Sequence, residues 1–159
     1  MIEVRPDELR DAKVLALLRV HLEEAHRNSP PGHSFAFDAE RLRGADIGFW
    51  TAWDGDTLLG CAAVKALDAA HGEIKSMRTA PGQLRRGVAA ALLDHLVGAA
   101  RGRGYRRLSL ETGSGPSYEA ALALYRRRGF VGGAAFGGHT GSAFNQFFHL
   151  DLDPCPPLS

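Results

Sequence analysis

The segment Gln83–Ala89 has the composition of a phosphate-binding turn. It follows a predicted strand, contains Gly87, and leads into a helical pattern of apolar residues that begins at Val88. The first turn of a helix has backbone N–H groups without helical partners and a partial positive charge, so it binds phosphate readily. Arg85 and Arg86 add charge. The Walker and dinucleotide glycine patterns are absent, so the segment predicts a pyrophosphate site of another kind.

Two carboxylates are candidates for taking a proton. Alternation along an extended strand places Glu73 on one face with His71, Lys75 and Met77. Glu111 lies on the next predicted strand and is the rival. A positioned base contributes about 100- to 10,000-fold to a reaction in which a proton must be removed. The alternative interpretation of Glu73 is a solvated or salt-bridged glutamate.

No metal site is predicted. His21 and His26 are five positions apart, which is not the spacing that puts two ligands on one helix face. The two cysteines, Cys61 and Cys155, form neither a metal-ligand spacing nor a disulfide framework. Neither cysteine lies near a base in any motif, so a cysteine nucleophile is disfavoured.

The elements that must position these groups alternate between strands and helices. Apolar periodicity and Gly or Pro breaks predict the order β-α-α-β-β-β-α-β-α-β-β, a mixed α/β sheet in one domain. The predicted strands are 2–5, 48–53, 57–67, 73–79, 106–112, 130–136 and 146–152, and the predicted helices are 6–28, 38–43, 88–101 and 117–128. Residues 1–152 are expected to form the domain, and residues 153–159 a flexible tail.

Composition narrows the classes of function. The chain has 159 residues, of which 23% are charged, and its formal net charge is +1. That charge argues against nucleic-acid and anionic-membrane partners. No apolar run reaches the roughly 20 residues that a membrane span needs. The residues that follow Met1 lack a secretion-signal pattern, so the expected location is the cytoplasm.

Three segments together resemble the GNAT superfamily of N-acetyltransferases. Within Gln83–Ala89, the six residues Leu84–Ala89 are similar to its Gln/Arg-x-x-Gly-x-Gly/Ala pyrophosphate motif, with Leu84 at the Gln/Arg position and Ala89 at the second glycine position. Glu73–Pro81 looks like its fourth strand, and Ala121–Phe130 like its Ala-x-x-Leu-Tyr-x-x-x-Gly-Phe segment. The resemblance covers about residues 2–152 and implies a GNAT-like, mostly antiparallel sheet flanked by helices.

The resemblance also implies roles for individual residues. It makes Tyr125 the acid for the departing thiolate, whereas the residue pattern alone allows a packing aromatic. Tyr118 stands where the family often has Asn, which departs from the usual pantetheine contact. The substrate would lie near His33 and Ser34, with Lys75 beside it. The residues implied to bind acetyl-CoA are Met77, Arg78, Thr79, Gln83, Leu84, Arg85, Arg86, Gly87, Val88, Ala89, Ala90 and Tyr118.

The expected function is transfer of acetyl from acetyl-CoA to a primary amine of a small molecule, directly and within a ternary complex. A peptide N-terminus is the second enzymatic reading. A CoA-binding regulatory module without catalysis is the alternative from another class, because the pyrophosphate motif would be kept there. The oligomeric state is left open, with a homodimer as one alternative.

Overall fold

The computed structural model of the chain describes residues 1–28, 44–83, 86–136 and 146–152. The predicted helix at 38–43 and the predicted tail at 153–159 lie outside these ranges. The described elements are β1 (Glu3–Pro6), α1 (Ala12–Asn28), β2 (Ile47–Asp54), β3 (Thr57–Asp68), β4 (His71–Thr79), α2 (Val88–Gly102), β5 (Arg107–Thr112), a 3-10 helix (Pro116–Tyr118), α3 (Glu119–Arg127), β6 (Val131–Gly132) and β7 (Gln146–Asp151).

The strands form a seven-stranded sheet in the order β1-β2-β3-β4-β5-β7-β6 among the described residues. The pairs β1–β2, β2–β3, β5–β7 and β6–β7 are antiparallel. The predicted α/β class with a mostly antiparallel sheet is therefore confirmed. The chain forms two compact units, a first unit of Met1–Lys65 with Ile74–Leu96 and a second unit of Ala66–Glu73 with Val97–Ser159.

The first unit is built on the hairpin of β2 and β3. Asp54 and Thr57 pair across the turn, and Gly55 has φ 59°, a left-handed conformation that suits glycine. Apolar side chains of the unit bury together, as their spacing predicts. Their buried cluster consists of Leu9, Val14, Leu17, Leu18, Phe49, Trp53, Leu58, Cys61, Ala63 and Ala80.

The start of α1 corrects a sequence prediction. The helix was expected to open at Pro6 and Asp7, but Pro6 is the last residue of β1 and α1 begins at Ala12. The carboxylate of Asp11 accepts the N–H of Lys13 at 2.7 Å. Asp11 therefore satisfies an N–H of the first turn and fixes the helix start, which apolar periodicity cannot locate.

The second unit contains the antiparallel strands β5, β7 and β6. Here β6 is shorter than the predicted strand 130–136, and the residues directly after Gly132 lie against His149. A Cβ on Gly133 would stand 2.7 Å from Cδ2 of His149, so a larger residue does not fit there without a shift. The backbone oxygen of Ala134 accepts a hydrogen bond from that imidazole at 2.8 Å.

The helical segment before β6 also differs in detail from its prediction. A 3-10 turn over Pro116–Tyr118 precedes α3, which begins at Glu119 rather than at Ser117. Gly129 has φ 94° just past the end of α3, which confirms it as the residue that terminates the helix. No helix of the described residues is long and apolar enough to cross a membrane.

Candidate active site

The turn between β4 and α2 carries the predicted phosphate-binding residues. The N–H of Gln83 donates to the backbone oxygen of Ala80 at 3.0 Å, and α2 begins at Val88. Gly87, just before the helix, has φ 79°, and a Cβ added to it would have no other group within 4 Å. Glycine is therefore required for its backbone conformation rather than for lack of space.

The beginning of α2 offers donors to an anion. Helix geometry leaves the N–H groups of Val88, Ala89 and Ala90 without a carbonyl partner inside the helix. The N–H of Ala91 donates to the backbone oxygen of Gly87 at 3.0 Å, which closes the first turn behind them. Leu84 and Arg85, also predicted to contact the cofactor, lie outside the described residues.

Arg86 has a partner that the sequence did not indicate. Its guanidinium donates to the side-chain oxygen of Gln83, so two predicted cofactor residues are brought together. It also pairs with the carboxylate of Asp54, with 2.9 Å between Nη2 and Oδ2. The positive charge that the turn presents is therefore partly balanced by the β2–β3 hairpin.

Gly60 on β3 allows α2 to lie close to the strand. A Cβ at this position would stand 2.6 Å from the backbone oxygen of Arg78 and 3.0 Å from Cγ1 of Val88. Leu92, one turn further along α2, would be 3.2 Å away. The beginning of α2 is thus held by a contact that only glycine permits, a role that was not predicted for Gly60.

The end of β4 holds Met77, Arg78 and Thr79, all half-buried. Ser76, directly before them, has φ 53°, which is uncommon for a residue other than glycine. The regular backbone geometry of the strand is therefore interrupted at Ser76. The hydroxyl of Ser76 is buried and has no hydrogen-bond partner among the described residues. Backbone strain of this kind is often found at functional sites.

Cys61 lies against the same bend. Its Sγ is 3.4 Å from the backbone oxygen of Ser76, to which it donates. Burial raises the pKa of the Cys61 thiol to about 12, so the thiol stays protonated at neutral pH. A thiol in this state is a poor nucleophile.

The candidate acid and base residues are found in the second unit. Glu73 is buried, with 3% of its surface exposed, and Glu111 is half-buried on β5 opposite Phe147. Tyr125 is buried on α3, and burial raises the pKa of its phenol to about 12. Tyr118 is half-buried at the end of the 3-10 turn. His33 and Ser34 lie outside the described residues.

Tyr125 also packs against a neighbouring ring. Its centroid lies 5.7 Å from that of Phe130 in an edge-to-face arrangement. The N–H of Phe130 donates to the backbone oxygen of Tyr125 at 3.0 Å. The ring contacts of Tyr125 are thus those of a packing aromatic, and its hydroxyl stays protonated and can donate a hydrogen bond.

A row of three polar side chains crosses the second unit and was not predicted from the sequence. Nε2 of His71 lies 2.6 Å from Oγ of Ser109, and that oxygen lies 2.7 Å from Nδ1 of His149. Ser109 and His149 are directly paired in the register of β5 and β7. Alternation had placed His71 with Glu73, but nothing in the sequence linked either residue to His149.

A cavity of about 630 Å³ opens beside this row. Its walls include His71, Arg107, Phe136 and His149. The Phe136 ring centroid lies 5.9 Å from that of His71 and 5.6 Å from that of His149. The second unit thus contains a cavity in which two imidazoles and one aromatic ring meet.

Three curated relatives match the chain. N-acetyltransferase YsnE of Bacillus subtilis (strain 168), itself uncharacterized, is 49% identical over 129 residues, which cover 81% of this chain and 85% of the relative. The uncharacterized N-acetyltransferase YedL of Escherichia coli (strain K12) is 40% identical, over 96% of both chains. An IAA acetyltransferase of Azospirillum brasilense is 32% identical, over 77% of this chain and 80% of the relative.

Solved structures share the fold. A crystal structure from Klebsiella pneumoniae subsp. pneumoniae MGH 78578 has a TM-score of 0.76 at 23% identity, over 96% of this chain and 99% of the other. A GNAT family acetyltransferase from Elizabethkingia anophelis with acetyl-CoA bound has a TM-score of 0.65 at 16% identity, over 95% and 98%. The model of the Acetyltransferase (GNAT) family matches residues 12–130. With the relatives above, that match shows that the chain belongs to the GNAT family of acetyltransferases.

Proposed function

We propose that the protein transfers acetyl from acetyl-CoA to a primary amine of a small molecule, directly and within a ternary complex. The observation that carries the proposal is the turn at Gly87, whose φ of 79° opens the N-terminus of α2. Acetyl-CoA is the donor used by the family. Its diphosphate is the anion that such a helix start suits.

The cofactor contacts follow from this placement. The N–H groups of Val88, Ala89 and Ala90 donate to the diphosphate, with Gly87 leaving room for it. Arg86 supplies charge from the side of the turn and Gln83 holds it in place. Leu84 and Arg85 complete the set. Met77, Arg78 and Thr79 at the end of β4 provide the backbone donor for the thioester oxygen, which gains charge during transfer.

The acceptor amine must lose its proton before it attacks. An amine with a pKa of about 10.4 costs roughly 4–5 kcal/mol to deprotonate at pH 7. Glu73 is the proposed base and Glu111 the alternative. The exclusion of Glu73 from solvent, with 3% exposure, supports a chemical rather than a solvating role.

The departing thiolate needs a proton. Tyr125 is the proposed donor: its phenol, whose pKa burial raises to about 12, stays protonated and can donate a hydrogen bond or a proton to the sulfur. Tyr118 takes the place of the usual pantetheine contact. Direct transfer is favoured over an acyl-cysteine intermediate, since the Cys61 thiol has a pKa of about 12. Cys155 lies outside the described residues.

The acceptor class is tested by screening. Amines and free peptide N-termini are offered with acetyl-CoA, and thiol release is followed together with the mass of the product. IAA is included because one relative is an IAA acetyltransferase. The proposed contacts to the acceptor are His33, Ser34 and Lys75. The proposed location of the protein is the cytoplasm. Acetylation of peptides but of no small amine would show that the acceptor is a peptide N-terminus. CoA binding without any product would contradict the proposed catalysis.

A further inference from the structure

With both imidazoles neutral, the hydrogen bonds of the row His71–Ser109–His149 run in one direction. A carbonyl oxygen can only accept, so Nε2 of His149 carries the hydrogen that points to Ala134, 2.8 Å away. Nδ1 of the neutral His149 is then an acceptor, and the Ser109 hydroxyl donates to it at 2.7 Å. The Ser109 oxygen in turn accepts from Nε2 of His71 at 2.6 Å.

The row of hydrogen bonds ends at Nδ1 of His71. With its hydrogen on Nε2, the neutral imidazole keeps an acceptor at Nδ1. No hydrogen bond to that nitrogen is present among the described residues, and His71 lines the cavity. Nδ1 of His71 can therefore accept a proton at the cavity.

A base at Glu73 requires a second group that removes the proton after each turnover. Each acetyl transfer to an ammonium ion releases one proton, and a base that keeps it cannot serve the next molecule. Glu73 is only 3% exposed, so solvent has little direct access to its carboxyl. His71, two residues earlier on β4, is half-buried at the cavity.

We infer that His71 is a proton shuttle between Glu73 and the solvent, and that Ser109 and His149 are the residues that position its imidazole. The inference rests on the proposed function. The ammonium gives its proton to the Glu73 carboxylate, and the resulting carboxylic acid passes it through one water to Nδ1 of His71. The imidazolium then gives the proton to a buffer base, which restores both residues without any other change.

The surroundings of His71 suit this task. Burial lowers the pKa of His71 below its usual value of 6.5, and the charge of Arg107 lowers it further. The carboxylates of Asp68 and Glu73 act in the opposite direction and favour the imidazolium. At neutral pH the imidazole is therefore mainly neutral and can accept a proton, yet two carboxylates stabilise the charged form when it appears.

A buffer-rescue experiment tests the shuttle. His71→Gln keeps an N–H donor for Ser109 but cannot carry a proton, so kcat in a dilute, bulky buffer should fall about tenfold. Imidazole added to the medium should restore the rate in proportion to its concentration until it saturates. Glu73→Gln should not be rescued. His95→Gln, on an exposed histidine of α2, is the matched control and should keep full activity without imidazole.

The positioning residues are tested by the pH profile. Protonated His71 cannot accept a proton, so kcat should decrease as the pH falls through its lowered pKa. His149→Gln removes a ring that lowers the pKa of His71, so it should move this acid limb to higher pH. Ser109→Ala removes the acceptor of Nε2 and should move it to lower pH. If the acid limb of the kcat profile lies at the wild-type pH in both variants, the positioning role of Ser109 and His149 is overturned.

Failure of the shuttle can be told apart from failure of the proposed function. NMR titration of the histidine rings needs no substrate, and Glu73→Gln should lower the measured pKa of His71. Full activity of His71→Gln in dilute buffer would overturn the shuttle while acetyl transfer stands. If no amine is acetylated, the proposed function fails, and an unchanged His71 pKa in Glu73→Gln would overturn the coupling as well.

Discussion

Arg86 and Asp54 are joined by an ion pair of 2.9 Å, although 32 positions separate them. The Arg86 guanidinium and then the amino group of Met1, which is 3.3 Å away, hold the pKa of the Asp54 carboxyl below its usual value of 3.8. A lowered pKa means that the pair is intact at neutral pH and is lost only as the pH falls through that pKa. The β2–β3 hairpin thus controls a charge of the proposed diphosphate site.

Asp54→Asn should raise the affinity for CoA by a few-fold, because it removes a negative charge close to the diphosphate. The gain should shrink as salt screens the site. Calorimetry at two ionic strengths measures both effects. The matched control is Asp151→Asn, which breaks a similar 2.9 Å pair with Arg107 and should leave CoA affinity unchanged. A weaker affinity for Asp54→Asn would mean that Asp54 instead positions Arg86 for the ligand.

Gly87→Glu should lower CoA affinity at least about tenfold, since it places bulk and negative charge where the helix start meets the diphosphate. Gly82 offers a close control: it has φ 81°, compared with 79° for Gly87, and likewise has nothing within 4 Å of an added Cβ. Gly82→Glu should therefore carry a similar backbone strain. Equal CoA affinities for the two folded variants would show that the diphosphate does not bind at Gly87.

Glu73→Gln should lower kcat by about 100-fold while CoA affinity stays close to that of the wild type. The loss should be largest at neutral pH and smaller at alkaline pH, where more of the amine is already neutral. Steady-state rates across pH provide the measurement. Glu111→Gln is the paired variant, and a full loss there with an active Glu73→Gln would reverse the assignment of the base.

Tyr125→Phe keeps the ring that packs on Phe130 and removes only the hydroxyl. Turnover should drop more than about tenfold, because a hydrogen bond to a charged group contributes roughly 1.5–3 kcal/mol. The drop should be smaller with thioesters of more acidic thiols, which leave without help. Thermal unfolding reports separately on packing. A rate ratio close to one for every thiol would leave Tyr125 with a packing role alone.

Local patterns predicted most of the described strands and the helix at 88–101 closely. The Asp54-Gly55 hairpin and the glycine after α3 follow from backbone preferences, which belong to one or two residues. The bend at Ser76 could not be predicted, since serine rarely adopts φ 53° and only its tertiary surroundings can impose it. The same holds for the start of α1 at Ala12, where a capping aspartate decided between several similar positions.

The candidate site divides in the same way. The turn at Gly87 and the helix after it could be predicted, because a turn and the helix that follows it depend on local sequence. The row from His71 to His149 joins residues separated by 38 and 40 positions, and no periodicity relates them. The partner of Arg86 was missed for the same reason. Contacts between distant segments depend on register and loop closure, which a single sequence does not reveal.

The close approach at Gly60 limits how this family member can evolve. Every single-base change in a glycine codon that alters the residue adds a Cβ, and here that atom would stand 2.6 Å from the backbone oxygen of Arg78. No one-step neighbour in sequence space therefore fits the present spacing. Residue 60 on β3 can therefore be replaced only after an earlier substitution has shifted the backbone of Arg78 on β4.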